Sequence, residues 1–205
     1  MSSLRAELLG QAPASGKFRM LLPPGWEQHS VSKEDEQQLV RRAGEKLARA
    51  HRPDLFAQLS SQVAEMMAGL RERNAIAYAF AGEASPTWAL GAASLVGVLR
   101  TGDDEVSLDA LVRHAIDNFD AQPLGDDYRI VRWVERHPVT IGDESVVSTT
   151  INYLIPVPRT YRKKAVQWVV TVPHPDTVAA DDPRLAQWVA LFDAHIATME
   201  WEQSA

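Results

Sequence analysis

Apolar side chains recur along this chain with two different periods, and the switches between those periods lay out its elements. Phe18-Arg19-Met20-Leu21-Leu22 reads as a short strand stopped by Pro23-Pro24-Gly25, and Trp26 to Val31 resumes it as a second extended piece. Ser32 with Asp35 three residues on resembles a capping box, after which Leu39, Val40, Ala43, Leu47 and Ala50 follow at helical spacing until Pro53. Pro53 suits the first turn of a second helix, whose Leu55, Leu59, Val63, Met66, Met67 and Leu70 form an apolar stripe closed by Asn74. There the period falls to two. Ile76, Tyr78 and Phe80 alternate with Ala75, Ala77, Ala79 and Ala81, so one face of a strand is large and the other small. A turn over Gly82 to Thr87 leads to another strand within Trp88 to Leu99, where Gly91 and Gly97 mark close packing or bulges.

Beyond a polar turn at Thr101 to Glu105, Ser107 caps a helix carrying Leu108, Leu111, Val112, Ala115, Ile116 and Phe119, which Pro123 and Gly125 end. Three strands rich in Val, Ile, Thr, Tyr and Trp follow, at Tyr128 to His137, Glu144 to Val157 and Lys164 to Val172. Gly142-Asp143 reverses the first pair, and Pro158 to Lys163 makes a longer, basic reversal of the second. Asp182-Pro183 opens a last helix with Leu185, Trp188, Val189, Phe192, Ile196 and Met199 on one face. The order β-α-α-β-β-α-β-β-β-α, with short turns between consecutive strands, implies an α+β fold: one mainly antiparallel sheet flanked by helices, an α/β/α sandwich. Residues 1–16, rich in Ser, Ala, Gly and Gln without periodicity, are expected to form a flexible tail, and 17–205 one domain.

This order, together with the opening Phe18-Arg19-Met20-Leu21-Leu22-Pro23-Pro24-Gly25-Trp26 and the closing Trp188-Val189-Ala190-Leu191-Phe192-Asp193 to Glu200-Trp201, resembles the PsbP-like superfamily over about residues 18 to 201. That group of α/β/α sandwiches includes photosystem lumenal subunits, an import factor that binds the Ran GTPase and bacterial chaperones for secreted effectors. The resemblance implies binding rather than catalysis and transfers no functional residue. The two consecutive helices between Ser32 and Arg73 are longer than the group's usual insertion, which leaves any shared binding surface open.

The chain's 205 residues and 45% apolar content suffice for a core without disulfide or metal staples. The absence of cysteine excludes thiolate chemistry, iron–sulfur clusters and Cys-ligated zinc. A net charge of −6 with both signs scattered argues against nucleic acid as partner. Neither a signal-peptide pattern nor a run of apolar residues long enough to span a bilayer is present, so no membrane insertion and a cytoplasmic location are expected.

No phosphate loop, dinucleotide fingerprint or nucleophile elbow occurs, and no cofactor is expected. The six histidines are scattered without zinc-protease spacing, so no metal site is assigned. His174-Pro175-Asp176 matches the tripeptide of J-domain co-chaperones, but it follows a strand instead of joining two helices. Asp193 and His195 lie two residues apart on a helix and do not face each other. The tryptophans are assigned to the core, with Trp26 and Trp201 the exceptions because they stand at element ends. Arg41, Arg42, Lys46, Arg49 and Arg52 form a basic run read as a solvated helix face. One charge feature remains. Arg159, Tyr161, Arg162, Lys163 and Lys164 cluster at a hairpin tip, where their charge serves either solubility or contact with an acidic surface.

These observations point to a non-enzymatic module, adaptor or chaperone-like, whose partner is another protein met through Arg159, Tyr161, Arg162, Lys163 and Lys164. The alternative is an enzyme or small-molecule-binding domain that uses a cavity between sheet and helices, with polar groups from Asn152 or His137.

Overall fold

A computed structural model describes residues 18–82, 93–102, 108–141 and 144–202. The tail over 1–16, Trp88, Gly91, the Ser107 cap and the Gly142-Asp143 reversal lie outside the described residues. Strands β2 (Trp26–His29), β3 (Ala75–Ala81), β4 (Ser94–Thr101), β5 (Gln122–Leu124), β6 (Asp127–Ile141), β7 (Glu144–Pro156) and β8 (Lys164–Pro175) form a seven-stranded sheet in the order β2-β3-β4-β8-β7-β6-β5. Every pairing in it is antiparallel. Helices α1 (Lys33–Arg49), α2 (Phe56–Glu72), α3 (Leu108–Phe119) and α4 (Pro183–Ala197) cover its two faces. Outside the main sheet, β1 (Phe18–Arg19) pairs antiparallel with β9 (Glu200–Trp201).

Alternation along the strands decides what each helix meets. One face carries Ala77 and Ala79, Leu95 and Gly97, Val166, Trp168, Val170 and Val172, and Ile151, Tyr153 and Ile155; α4 lays Leu185, Trp188, Phe192 and Ile196 on it. The small alanines on β3 leave room for the aromatic groups that α4 brings. On the opposite face, Val63 and Met67 of α2 pack on Tyr78, and Leu108 and Ala115 of α3 pack on Trp133, Leu154 and Ala165. The sheet is therefore a sandwich filling, as the alternating periods require.

Local chemistry sets the helix ends. Ser32 Oγ accepts from the Asp35 N–H at 3.1 Å, while Asp35 accepts from Ser30 N–H at 2.8 Å, so the return bond of the expected capping box lands two residues further back. Helix α2 ends where Asn74 adopts a φ of 56°, the left-handed conformation that asparagine tolerates better than most residues. Asp182 caps α4 and accepts from the Arg184 N–H at 2.8 Å.

Three expectations are corrected. Pro123 does not merely end a helix but lies in β5, the sheet's outermost strand, where its missing donor breaks no second ladder. Met199 falls beyond α4, because the chain leaves the helix at Thr198 to form β9. The opening strand is paired only at Phe18 and Arg19: Leu21 N–H donates to Thr198 Oγ1 at 3.0 Å, and Pro23 and Pro24 offer no donors. No helix among the described residues is long and apolar enough to cross a membrane.

Candidate functional site

The ladder between β6 and β7 ends at Val131 opposite Leu154, yet both strands continue, β6 back to Asp127 and β7 on to Pro156. They diverge there, each still paired on its far side, to β5 and to β8. A cleft of about 950 Å³ opens at this fork. Ile130, Ile155 and Val157 give it an apolar wall, and Met199 and Trp201 close it from the β9 side. Phe18 sets Trp201 in place, its ring edge-on to Trp201 at 6.1 Å and to Trp168 at 5.3 Å. Met199 Sδ accepts from the Trp168 indole N–H at 3.3 Å.

The rim is charged. Arg129, Arg159, Arg162, Glu200 and Glu202 all line the cleft, and Glu202 is paired with Arg19 at 3.1 Å. Among the described residues, Arg159 and Arg162 make no ion pair. Both belong to the turn between β7 and β8, which is closed by Val157 N–H to Lys164 O at 2.9 Å and by the Thr160 hydroxyl to Val157 O at 2.7 Å. Within that turn Arg159, Tyr161 and Arg162 hold φ values of 61°, 52° and 61°. Left-handed backbone suits glycine and costs other residues about 1 kcal/mol or more each. Tyr161 is 95% exposed.

The hairpin-tip residues thus separate. Arg159, Tyr161 and Arg162 line the cleft, whereas Lys163 and Lys164 do not. Lys163 O accepts from Gly102 N–H at 2.8 Å and Lys164 stands opposite Thr101, so those two lie on the β4 side of the hairpin. Arg129 and Glu202 carry no pattern in the sequence that marks them, and Glu200 enters it only as part of the closing Glu200-Trp201. Trp201 was picked out by its place at an element end and does line the cleft. Trp26 stands at an element end too, as the first residue of β2, but is buried because its side chain packs on α4, its ring edge-on to Phe192 at 5.3 Å.

Other polar groups are committed to the fold. Across the face shared by α2 and α3, Glu135 Oε1 accepts from Trp133 Nε1 at 2.6 Å and from Asn152 Nδ2 at 3.2 Å. The row continues through Gln167 Nε2 to Asn152 Oδ1 at 2.8 Å and Arg100 Nε to Gln167 Oε1 at 2.7 Å, linking four strands. His137 Nε2 lies 3.0 Å from Glu135 Oε2. Asn152 and His137, the polar groups assigned to a cavity between sheet and helices, therefore join a cross-strand network and lie outside the cleft lining.

On the α4 side, Tyr153 Oη donates to Asp193 Oδ1 at 2.8 Å, and Arg132 Nε lies 3.6 Å from the same oxygen. Burial, with the Asp193 charge next, pushes the Tyr153 phenol far above its ordinary range; burial likewise raises the Asp193 carboxyl. His174 is buried, Nδ1 within 2.9 Å of Pro175 O and Nε2 within 2.8 Å of Thr149 Oγ1. A carbonyl only accepts, so the hydrogen sits on Nδ1. His174 and Pro175 accordingly end β8 and Asp176 lies in the turn beyond it, with the histidine inside the protein. The basic run on α1 is partly paired, Arg42 with Glu27 at 3.5 Å and Arg49 with Glu45 at 3.8 Å. Among the described residues no group of three or more His, Asp or Glu is arranged for a metal ion.

No protein-family model matches this sequence, and no curated protein matches it. Among solved structures, two examples show a distant similarity to it. A Bacteroides thetaiotaomicron VPI-5482 protein aligns over 91% of this chain and 46% of its own, at a TM-score of 0.41 and 8% identity. The chain thus spans less than half of that protein. The Saccharomyces cerevisiae Ran-binding protein Mog1p aligns over 54% of this chain and 68% of its own, at a TM-score of 0.37 and 13% identity. The class that the architecture itself defines is a helix-flanked antiparallel sheet, an α/β/α sandwich.

Proposed function

We propose that this chain is a non-enzymatic protein-binding module of the adaptor or chaperone-like kind, and that its partner docks at the cleft between the β7–β8 turn and β9. The observation that carries the reading is the backbone of the turn. Arg159, Tyr161 and Arg162 occupy left-handed positions where glycine would be less strained, and all three side chains line the cleft. Strained backbone clusters at functional and contact sites, and this turn concentrates three such residues within four positions. The chemistry agrees: arginine and tyrosine are enriched at protein interfaces, where they combine apolar contact with directed hydrogen bonds. Tyr161 projects into solvent instead of roofing an enclosed chamber, which favours a macromolecular partner over a small ligand.

The test is photo-cross-linking from within the cell. A benzophenone amino acid at position 161 is expected to capture a discrete protein, whose recovery falls when Arg159 and Arg162 are both changed to Ser. The same probe at Glu72, at the end of α2, serves as control. Equal capture at both positions, or capture indifferent to the two arginines, would overturn the reading.

A further inference from the structure

The cleft offers more than charge. It is bordered by β9 residues Glu200 and Trp201 and by the adjoining Glu202, and by none of β1, so it lies along the edge of β9 that β1 does not cover. In a two-stranded ribbon the backbone groups of alternate residues point away from the partner strand. An extended chain laid along that edge would meet them. The facing wall offers fewer donors, because Pro156 and Pro158 have no N–H, a device that discourages strand addition. Pairing is thereby directed to one side of the cleft.

We infer that the occupant is an extended, acidic peptide segment of the partner, added as a third strand to the β1–β9 ribbon through the free edge of β9, with its carboxylates reaching Arg159 and Arg162. This rests on the protein-binding reading and specifies its partner. Charge complementarity selects the sign. The chain as a whole carries −6, yet its cleft presents Arg159 and Arg162, which make no ion pair among the described residues, while Glu202 on the β9 side is already paired with Arg19. Side chains of alternate peptide residues would turn towards the apolar wall of Ile130, Ile155 and Val157. A strand of alternating acidic and apolar residues satisfies both surfaces at once, with main-chain bonds supplying affinity and side-chain fit supplying selectivity.

The probe is a pool of fluorescent heptapeptides with Glu at alternate positions and Val, Leu or Phe between them, titrated against the full chain by anisotropy. Two further pools carry N-methyl groups on one or the other alternate set of residues, and a fourth replaces Glu by Lys. Binding of the first pool should weaken about tenfold or more in the Lys pool and with Arg159→Ser plus Arg162→Ser, and should fall with salt. Edge pairing adds a sharper signature: one N-methylated pool loses binding and the other keeps it, because only one set of N–H groups faces β9. Slowed hydrogen exchange at residues 200–202 should accompany binding. Equal affinity of both N-methylated pools with the unmodified one overturns strand addition, and equal affinity of the Lys pool overturns the acidic partner. Failure of every pool alongside a protein cross-linked at position 161 sinks the extended segment and leaves the protein-binding reading standing. Failure of both experiments removes the two together.

Discussion

Gly97 lies directly beneath the indole of Trp168 on the neighbouring strand, and a Cβ at position 97 would stand 2.7 Å from Trp168 Cζ3. The indole has no room to retreat. It is 1% exposed, Phe18 meets its face edge-on, and its N–H donates to Met199. Glycine is needed here for the approach of a ring, not for a turn. Gly97→Ala is therefore expected to destabilise the fold by about 1–3 kcal/mol, the usual range for overpacking a filled core. A denaturant titration measures it, and an unchanged midpoint would mean that the ring shifts without resistance.

Asp193 gives a pH signature at the junction of α4 and the sheet. Burial holds its carboxyl above the ordinary value of 3.8, with Tyr153 and Arg132 opposing that shift. A group whose folded pKa is raised favours folding most fully below its unfolded pKa, and that contribution is lost as the pH rises through the folded value. Asp193→Asn removes the titration. Its stability relative to the native chain should therefore improve as the pH is raised from 3.8 towards neutrality. Melting curves of both proteins across that window are the measurement; a pH-independent difference would show that burial does not govern this carboxyl.

Asp182 has the opposite sign. Its carboxylate accepts from Arg184 Nε at 2.9 Å and Nη2 at 2.8 Å and from the Arg184 backbone N–H, which lowers its pKa to about 2. A lowered pKa stabilises the fold above the unfolded value of 3.8 and loses that contribution as the pH falls through about 2. Asp182→Asn can still cap α4 with its amide oxygen but cannot form the ion pair. The native chain should melt higher than this variant at pH 5, with the gap closing towards pH 2. A constant gap would place the effect in the cap alone.

Most of the architecture was legible because periodicity is a local signal. The stripe of Val63 and Met67 and the face of Leu185, Trp188, Phe192 and Ile196 each point to the side that the structure buries, and the alternation of Tyr78 and Phe80 with alanines marks a strand that helices cover on both faces. Strand ends were harder to place, and prolines explain why. Pro138 lies within β6, and Pro173 and Pro175 lie within β8, past the limits expected from sequence. Each stands where its strand has only one paired neighbour: β6 has left β5 by then, and β4 reaches β8 only as far as Thr171. Proline is tolerated at such an edge, but the edge is a property of the assembled sheet. The cleft was only partly legible for the same reason. Its turn announced itself by charge, whereas Trp201 meets Phe18 from the other end of the described chain, and Arg129 meets the turn only because two strands diverge.

The turn itself separates folding from binding. Arg159, Tyr161 and Arg162 hold φ values of 61°, 52° and 61°, so glycine at these positions relieves about 1 kcal/mol of backbone strain each. Against that gain, each glycine makes the unfolded chain more flexible, at a cost of about 0.4–1 kcal/mol. The two terms nearly cancel. Serine relieves no strain, because its Cβ meets the same crowding as the residue it replaces. The triple glycine variant should thus melt at or slightly above both the native chain and the corresponding triple serine variant. Recovery of the partner identified by cross-linking should nonetheless fall in both variants, most at low salt, where the arginines attract an acidic surface most strongly. Lys163→Ser with Lys164→Ser, which leaves the cleft lining intact, should retain recovery. A glycine triple that melts well below the serine triple would show that the turn is not held in the left-handed region. Undiminished recovery in both triples would reduce Arg159, Tyr161 and Arg162 to solubilising charge and surface.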